Sequence, residues 1–210
     1  MQNAPVILAI DTSLGPCSVA LIRAGAIIAE TEESSPGKQS RMLVPMIEQT
    51  LEKAGLTYKD CDAIACTVGP GGFTGIRVGL ATARAIALAA NKPFIGLTTL
   101  EVIAWSTQIQ GDVLAVINAY RGQCYVQRFR MNGPLVPQSD PLLVDEKSVS
   151  ALGHGAKVVQ SPLHARDVAM LAAEKWSLGE RSFPTAPLYI REPDAKLPAA
   201  EGLKYSDELL

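Results

Sequence analysis

The sequence predicts an α/β fold, and two strand-and-turn segments carry most of that prediction. Residues 7–10 and 63–68 are hydrophobic runs of strand length. The first run ends in the turn Asp11-Thr12-Ser13, and the second ends in the glycine-rich turn of residues 69–72. Small-residue turns at strand ends are where α/β folds present backbone N–H groups to an anion. The two turns together therefore indicate a scaffold that can cradle a phosphate.

Three strands and a helix are predicted in the first 54 residues, before the second of these turns. Apolar runs predict an antiparallel meander at residues 6–10, 17–22 and 26–30. Residues 40–54 have helical periodicity, and Gly55 is a natural stop. Pro45 lies too deep in that helix for a first-turn proline, so the helix either is kinked or starts later. A second long helix is predicted after the glycine turn, at residues 73–90.

The remaining chain predicts a second, smaller unit. A short strand at 95–96 and a helix at 98–106 are followed by a break at 110–112. A new strand at 113–118 is then expected to pair with 124–130 as a hairpin. The chain closes with a predicted strand, a predicted helix and a tail motif, at residues 157–160, 164–176 and 187–191.

Composition narrows the class of protein. With 210 residues, of which 48% are hydrophobic, the chain can bury a core as one domain or two small ones. The formal net charge is −2 and no run of Lys or Arg occurs, so a broad electrostatic surface for nucleic acid is not expected. Any role with RNA is therefore predicted to be indirect.

The cysteines and histidines predict no metal site. The four cysteines lack C-x-x-C spacing and nearby histidines, which favours free thiols in a reducing compartment. The two histidines, His154 and His164, have no acidic residues that would complete a ligand set. No G-x-S-x-G elbow or comparable nucleophile signature occurs either.

The ends of the chain and its apolar runs predict a cytoplasmic protein. No positive charge precedes the first apolar run, so a signal peptide is not expected. The longest helical apolar stretch, residues 78–90, contains Arg84 and is shorter than the roughly 18 residues that a membrane span needs. We therefore expect no membrane partner.

The turn Asp11-Thr12-Ser13 has two interpretations. Its carboxylate could order metal-bound water while its hydroxyls contact a phosphate, as in the first phosphate loop of actin-like and sugar-kinase-like folds. Asp and Ser also favour turns because they form hydrogen bonds with the nearby backbone. Neither interpretation is excluded by the residues alone.

The glycine turn also leaves two roles open. It is not a Walker A loop, because Ile76-Arg77 stands where Lys-Ser/Thr should follow the last glycine. Gly69, Gly71 and Gly72 could face a phosphate, or they could only permit tight packing of the strand against the helix.

The helix at 73–90 predicts a partner-binding face. Small residues recur at every fourth position, Gly75, Gly79, Ala83 and Ala87, and the other sides of the helix are hardly more polar. A helix that is apolar all round is buried on both sides. Met42 and Met46 give the preceding helix surplus apolar surface as well, so the two helices are predicted to form half of a helical bundle with a second subunit, the alternative being an ordinary core.

The chain resembles the bacterial TsaB (YeaZ) family in five blocks that occur in the family's usual order. The block at residues 69–80, in which Ile-Arg-Val-Gly-Leu follows the glycine turn, is highly specific. The other blocks are residues 7–13, 40–47, 119–125 and 187–191.

This resemblance implies an actin-like (ASKHA) fold of two lobes, here residues 1–108 and 109–210, with a final segment that packs back on the first lobe. It implies a non-catalytic subunit that binds the paralogue TsaD, with the ATPase TsaE joining the assembly. TsaD is the subunit implied to transfer the threonylcarbamoyl group to adenosine 37 of tRNAs that read ANN codons. TsaD's metal-binding H-x-x-x-H motif has no counterpart here, because residues 34–41 contain no histidine.

The resemblance also implies how partners are bound. The two N-terminal helices are expected to meet TsaD, or a second copy when TsaD is absent, and no intrinsic cofactor is implied beyond ATP or ADP at or near the TsaD interface. The expected nucleotide-binding residues are Asp11, Thr12, Ser13, Gly69, Gly71 and Gly72. The expected interface residues are Met42, Met46, Gly75, Val78, Gly79, Leu80, Ala83, Arg84 and Ala87.

Three residues depart from the family pattern, and one alternative function stays open. Gly72 stands where Ser is common, Gln39 where His often precedes the helix, and Asn118 where Asp is usual. These changes weaken polar chemistry in the cleft more than they weaken the fold assignment. The alternative is an ASKHA-fold enzyme, either a nucleotide hydrolase or phosphotransferase or a glycoprotease-like peptidase.

Overall fold

A computed structural model describes residues 5–34 and 39–191 of the chain. Its first sheet has five strands in the order β3-β2-β1-β4-β5, antiparallel on the β3 side of β1 and parallel on the β5 side. The central strands are apolar along their whole length because both faces of the sheet are covered. The strands are β1 (Val6–Asp11), β2 (Cys17–Arg23), β3 (Ala26–Glu33), β4 (Ala63–Thr67) and β5 (Phe94–Leu97).

Helices cover both faces of this sheet. Leu8 and Ile10 of β1 pack in one core with α1 (Gln39–Lys53) and α2 (Phe73–Ala90). Ile7 and Ala9, which alternate with them, pack on the opposite side with α3 (Thr99–Ser106) and α5 (Ala165–Ser177). β1 is therefore at the centre of the molecule, and its carboxyl end is fixed on both sides.

A second sheet follows α3. Its strands are β6 (Gly111–Asn118), β7 (Gln123–Met131), β8 (Leu135–Pro137), β9 (Leu142–Asp145) and β10 (Lys157–Val159). The order is β10-β6-β7-β8, and β9 also pairs with β7. A short helix, α4 (Val149–Leu152), precedes β10. Ile117 and Phe129 belong to the same apolar core as α3 and α5, so the second sheet shares a core with the first.

The predicted elements are largely confirmed. The meander, the helix after the glycine turn and the hairpin through residues 120–122 all form. The sequence analysis missed β8, β9 and α4, which are three to four residues long. The alternative that the first helix starts after Pro45 is wrong, because α1 begins at Gln39 and continues through that proline.

The prediction that the longest apolar helix is too short to span a membrane is also corrected. α2 has 18 residues with a mean hydropathy of 1.3, so it meets the length and composition of a membrane span. One such helix is weak evidence, because the core helix of a globular domain passes the same test. Its inner side is packed on β4 and against the end of β1.

Candidate functional site

A cleft of about 870 Å³ opens between the two sheets, where both predicted turns meet. Its first wall is formed by residues 12–16 and 71–75, and its second wall by residues 116–120 of the other sheet. Among its described lining residues only Arg191 carries a charge. The predicted nucleotide-binding residues Thr12, Ser13, Gly71 and Gly72 therefore line this cleft.

Asp11 does not face this cleft as an open carboxylate. It is buried at the end of β1, and its Oδ1 accepts hydrogen bonds from the Thr67 hydroxyl at 2.6 Å and the Ser13 hydroxyl at 2.7 Å. The Ser13 N–H also donates to Oδ1, at 3.2 Å. The other oxygen, Oδ2, is buried with no partner among the described residues. Asp11 thus holds the end of β1 to the end of β4.

Burial raises the pKa of Asp11 above its ordinary value of 3.8, against the opposing effect of the Thr67 and Ser13 donors. Removing a carboxylate from water disfavours its charged form. A carboxylate that orders metal-bound water must be ionised and accessible, so this geometry does not fit a metal–nucleotide complex held through Asp11.

The glycine turn packs tightly against the Asp11 turn. A Cβ at Gly71 would lie 2.5 Å from the Ser13 carbonyl oxygen, and the Gly72 N–H donates to that oxygen at 2.8 Å. Gly69 has φ 104° and lies against the backbone of Leu188. Of the two roles left open by the sequence, the packing role accounts for these contacts, and the Gly72 N–H is already used.

Two departures from the family pattern have local roles. Gly72 is the N-cap of α2 and offers no side-chain cap, whereas a Ser there could cap the helix. The Asn118 side-chain oxygen accepts a hydrogen bond from the Tyr120 N–H at 2.7 Å, a contact that an Asp could also make. The side chain of Gln39 lies outside the described part of the chain.

The small residues of α2 turn inwards, towards the chain itself. A Cβ at Gly75 would lie 2.0 Å from the Thr12 carbonyl oxygen, and one at Gly79 would lie 2.3 Å from Thr12 Oγ1. The Thr12 hydroxyl also donates to the Gly75 carbonyl at 2.7 Å. The ridge therefore allows α2 to approach β1, and it is not free to meet a second subunit in this structure.

Most of the expected interface residues are consequently part of the intramolecular core. Six are buried: Met46, Gly75, Gly79, Leu80, Ala83 and Ala87. Met42 and Val78 are half-buried, and Arg84 is exposed. Leu80, which was expected at the partner interface, is only 4% exposed.

The outer side of α2 presents a different set of residues. Phe73, Arg77, Ala81, Arg84 and Leu88 recur at spacings of three and four residues, share one side of the helix and are all exposed. Leu88 is 85% exposed and Phe73 57% exposed. We call these five residues the α2 stripe.

The cysteines are buried, and one histidine lies beside a carboxylate. All four cysteines are free thiols, and burial raises the pKa of Cys17 to about 12. His164 Nδ1 lies 2.9 Å from Glu32 Oε2, within hydrogen-bond distance. Within residues 5–34 and 39–191, no three His, Cys, Asp or Glu side chains are grouped to hold a metal ion.

Comparison with known proteins adds the family to this geometry. The family model for TsaD, tRNA N6-adenosine threonylcarbamoyltransferase, matches residues 33–142, about half of the chain. The tRNA threonylcarbamoyladenosine biosynthesis protein TsaB of Escherichia coli is 39% identical over 122 residues, 57% of this chain. The solved YeaZ structure from Pseudomonas aeruginosa has a TM-score of 0.75 and 25% identity, and the match covers 88% of this chain and 99% of that one. The chain belongs to the TsaB (YeaZ) family.

The coverage of these relatives is uneven. The alignments span 52% of the Escherichia coli TsaB chain and 63% of the TsaB chain from Buchnera aphidicola of Schizaphis graminum. An uncharacterised protein of Mycobacterium bovis is 30% identical over 90% of this chain and 93% of its own. The YeaZ structure confirms the predicted α/β fold, with two mixed sheets flanked by helices.

Sequence reasoning missed two features of this TsaB-family site. The first is the hydrogen bond from Thr67, the closest donor to Asp11. The sequence could have indicated it, because parallel pairing of residues 7–10 with 63–66 places Asp11 next to Thr67. The contact of Arg77 with Tyr189 joins positions 112 residues apart, and no local pattern could predict it.

Proposed function

We propose that this chain is the non-catalytic partner subunit that TsaD requires to form threonylcarbamoyladenosine at adenosine 37 of tRNAs reading ANN codons. Family membership supports a role in this pathway, because curated relatives carry the name TsaB biosynthesis protein. One structural observation supports a partner role above the others, namely the exposure of Phe73 and Leu88 on the outer side of α2.

A surface that exposes several apolar side chains is typical of a protein–protein contact. Leu88 and Phe73 of α2 are 85% and 57% exposed, and Val44 of the neighbouring α1 is 47% exposed. The inner sides of both helices are already buried on the first sheet. The partner therefore docks on the outer side of this helix pair, and its own helices complete the layer.

We propose that the chain is not catalytic because its ionisable groups at the end of β1 and close to it are buried. Asp11 is buried and its pKa is raised, so it is a poor metal ligand at the cleft. The thiols of Cys17 and Cys66 are buried beside Asp11, and burial raises the pKa of both. These buried groups supply neither an accessible carboxylate nor an accessible thiolate.

The assembly proposed has TsaD as the direct partner and TsaE as a further component. A second copy of the chain takes the place of TsaD when TsaD is absent, through the same helices. ATP or ADP acts at the interface with TsaD and not through Asp11. tRNA is contacted through the complex, and the site of action is the cytoplasm.

The test is co-purification of the full chain with TsaD of the same organism, with Leu88→Asp as the interface variant. Leu142→Asp is the matched control, because Leu142 is 49% exposed on β9 of the second sheet. We expect Leu88→Asp to lose TsaD and Leu142→Asp to retain it. Retention of TsaD by a folded Leu88→Asp protein would place the partner surface elsewhere.

A further inference from the structure

The segment 184–191 crosses the molecule as an extended strap. Close to its start, the Pro184 carbonyl oxygen lies against Gly96 of β5, where a Cβ would be only 1.9 Å away. The Leu188 N–H then donates to the Val68 carbonyl at 2.8 Å, just after β4. At its far end, Arg191 Nη2 donates to Gln123 Oε1 of β7 at 2.8 Å. The strap is thus fixed on the first sheet and on the second.

Close to the second anchor, the strap exposes an aromatic side chain. Tyr189 is 45% exposed, whereas its neighbours Leu188 and Ile190 are half-buried. Tyr189 is held in place, because Arg77 Nε donates to its hydroxyl at 2.7 Å. The ring centroids of Tyr189 and Phe73 are 5.7 Å apart.

Arg77 lies between the two aromatic rings. Its guanidinium carbon is 3.4 Å from the Phe73 ring centroid and 5.5 Å from that of Tyr189. Cation–π contact and the hydrogen bond together order three side chains that would otherwise move freely on the surface. A pre-ordered cluster loses little entropy on binding.

We propose that Tyr189 is an anchor of the TsaD interface, so that the partner is recognised by α2 and the strap together. This inference rests on the proposed function above. We expect the partner on the α2 stripe to be the one that contacts Tyr189, because the two surfaces are continuous. Phe73 and Arg77, which contact Tyr189, are the first two residues of the stripe, and Leu88 is its last. A partner helix that covers Leu88 and runs along the stripe meets Tyr189 at the other end.

The chemistry of the cluster suits such a role. Tyr and Arg are enriched among the few residues that dominate binding energy at protein interfaces. Tyr189 offers a rigid ring with an exposed face, and Arg77 retains donors beyond the one used by the Tyr189 hydroxyl. The cluster therefore adds an aromatic ring and hydrogen-bonding capacity at one end of the stripe.

The experiment measures TsaD affinity by calorimetry for Tyr189→Ala, with Val136→Ala as the control. Val136 is 49% exposed on β8 of the second sheet and does not line the cleft. We expect Tyr189→Ala to weaken binding by about tenfold or more and Val136→Ala to change it less than about twofold. An affinity within twofold of wild type for Tyr189→Ala would overturn the proposal.

Hydrogen–deuterium exchange of the wild-type chain gives a second readout that needs no substitution. We expect the amides of residues 186–190 to become protected when TsaD is added, in addition to those at the start of α2. Protection of α2 without protection of the strap would overturn the inference and leave the proposed function standing. Loss of binding in Leu88→Asp with full binding in Tyr189→Ala would do the same, whereas no binding by wild type would refute both.

Discussion

At the scale of single residues, Asp11 and Thr12 at the end of β1 form the contacts that join the two turns to the rest of the first sheet and to α2. Asp11 and Thr12 each satisfy a partner from a distant part of the chain, Thr67 and Gly75 respectively. Their side chains are therefore committed to joining β1, β4 and α2. A residue that in other proteins of this general fold could serve a phosphate is here part of the packing between elements.

Asp11 predicts a specific pH dependence of stability. Its pKa in the folded chain is raised above 3.8, so between the unfolded and folded pKa values the folded state binds more protons. The free energy of unfolding then falls as pH rises through this window. We expect Asp11→Asn to lack that fall, as measured by urea unfolding of both proteins from about pH 4 upwards.

Other carboxyl groups titrate in both proteins, so the difference between the two curves isolates Asp11. A pH-independent difference between wild type and Asp11→Asn would show that Asp11 has an ordinary pKa in the folded chain.

Gly72 and Gly75, at the start of α2, are predicted to differ in how well they tolerate substitution by alanine. Gly75→Ala would place a methyl group 2.0 Å from the Thr12 carbonyl oxygen, and such overpacking costs about 1–3 kcal/mol even though Ala favours a helix. Gly72→Ala is the control, because its Cβ would lie 3.5 Å from the Ser13 carbonyl oxygen at a cost of at most about 1 kcal/mol. Thermal unfolding of both variants measures the difference, and equal melting temperatures would refute the close approach.

At the scale of elements, α2 has two sides with different tasks. The side with Gly75, Gly79 and Ala83 is packed within the chain, and the side with Ala81 and Leu88 is exposed. Nearly uniform apolarity predicted that both sides are covered. The apolar pattern could not show which side is buried within this chain. That depends on the close contact of Thr12, just after β1, with Gly75 and Gly79.

This division predicts that two leucines of one helix respond differently to the same substitution. Leu80 is 4% exposed, so Leu80→Asp buries an unpaired charge and unfolds the chain or lowers its stability by several kcal/mol, on the order of 3–5. Leu88→Asp, at an 85% exposed position, changes the unfolding free energy by less than about 0.5 kcal/mol.

Size-exclusion chromatography without TsaD provides the association readout for the second variant. We expect wild type to elute as a dimer and Leu88→Asp to elute as a monomer at the same concentration. A dimer that survives in Leu88→Asp with an unchanged melting temperature would contradict the use of this side for self-association.

At the scale of the whole molecule, the sequence allowed the layers to be predicted better than the contacts between distant segments. Strand and helix periods gave both sheets and the long helices, because each signal is local and buried on a regular face. The short strands β8 and β9 and the strap contacts were not predictable, since Arg77–Tyr189 and Arg191–Gln123 depend on the completed fold. The contact of Asp11 with Thr67 was also missed, although parallel pairing of residues 7–10 with 63–66 brings these two residues together.

The central claim is that this chain acts through TsaD and performs no chemistry of its own. The most direct measurement is threonylcarbamoyladenosine formation on tRNA by TsaD, TsaE and the threonylcarbamoyl donor, with this chain omitted or added as wild type, Leu88→Asp or Asp11→Asn. We predict activity with wild type and with Asp11→Asn, and none when the chain is omitted or carries Leu88→Asp. Full activity without the chain, or loss of activity in an Asp11→Asn protein that still binds TsaD, would contradict this account.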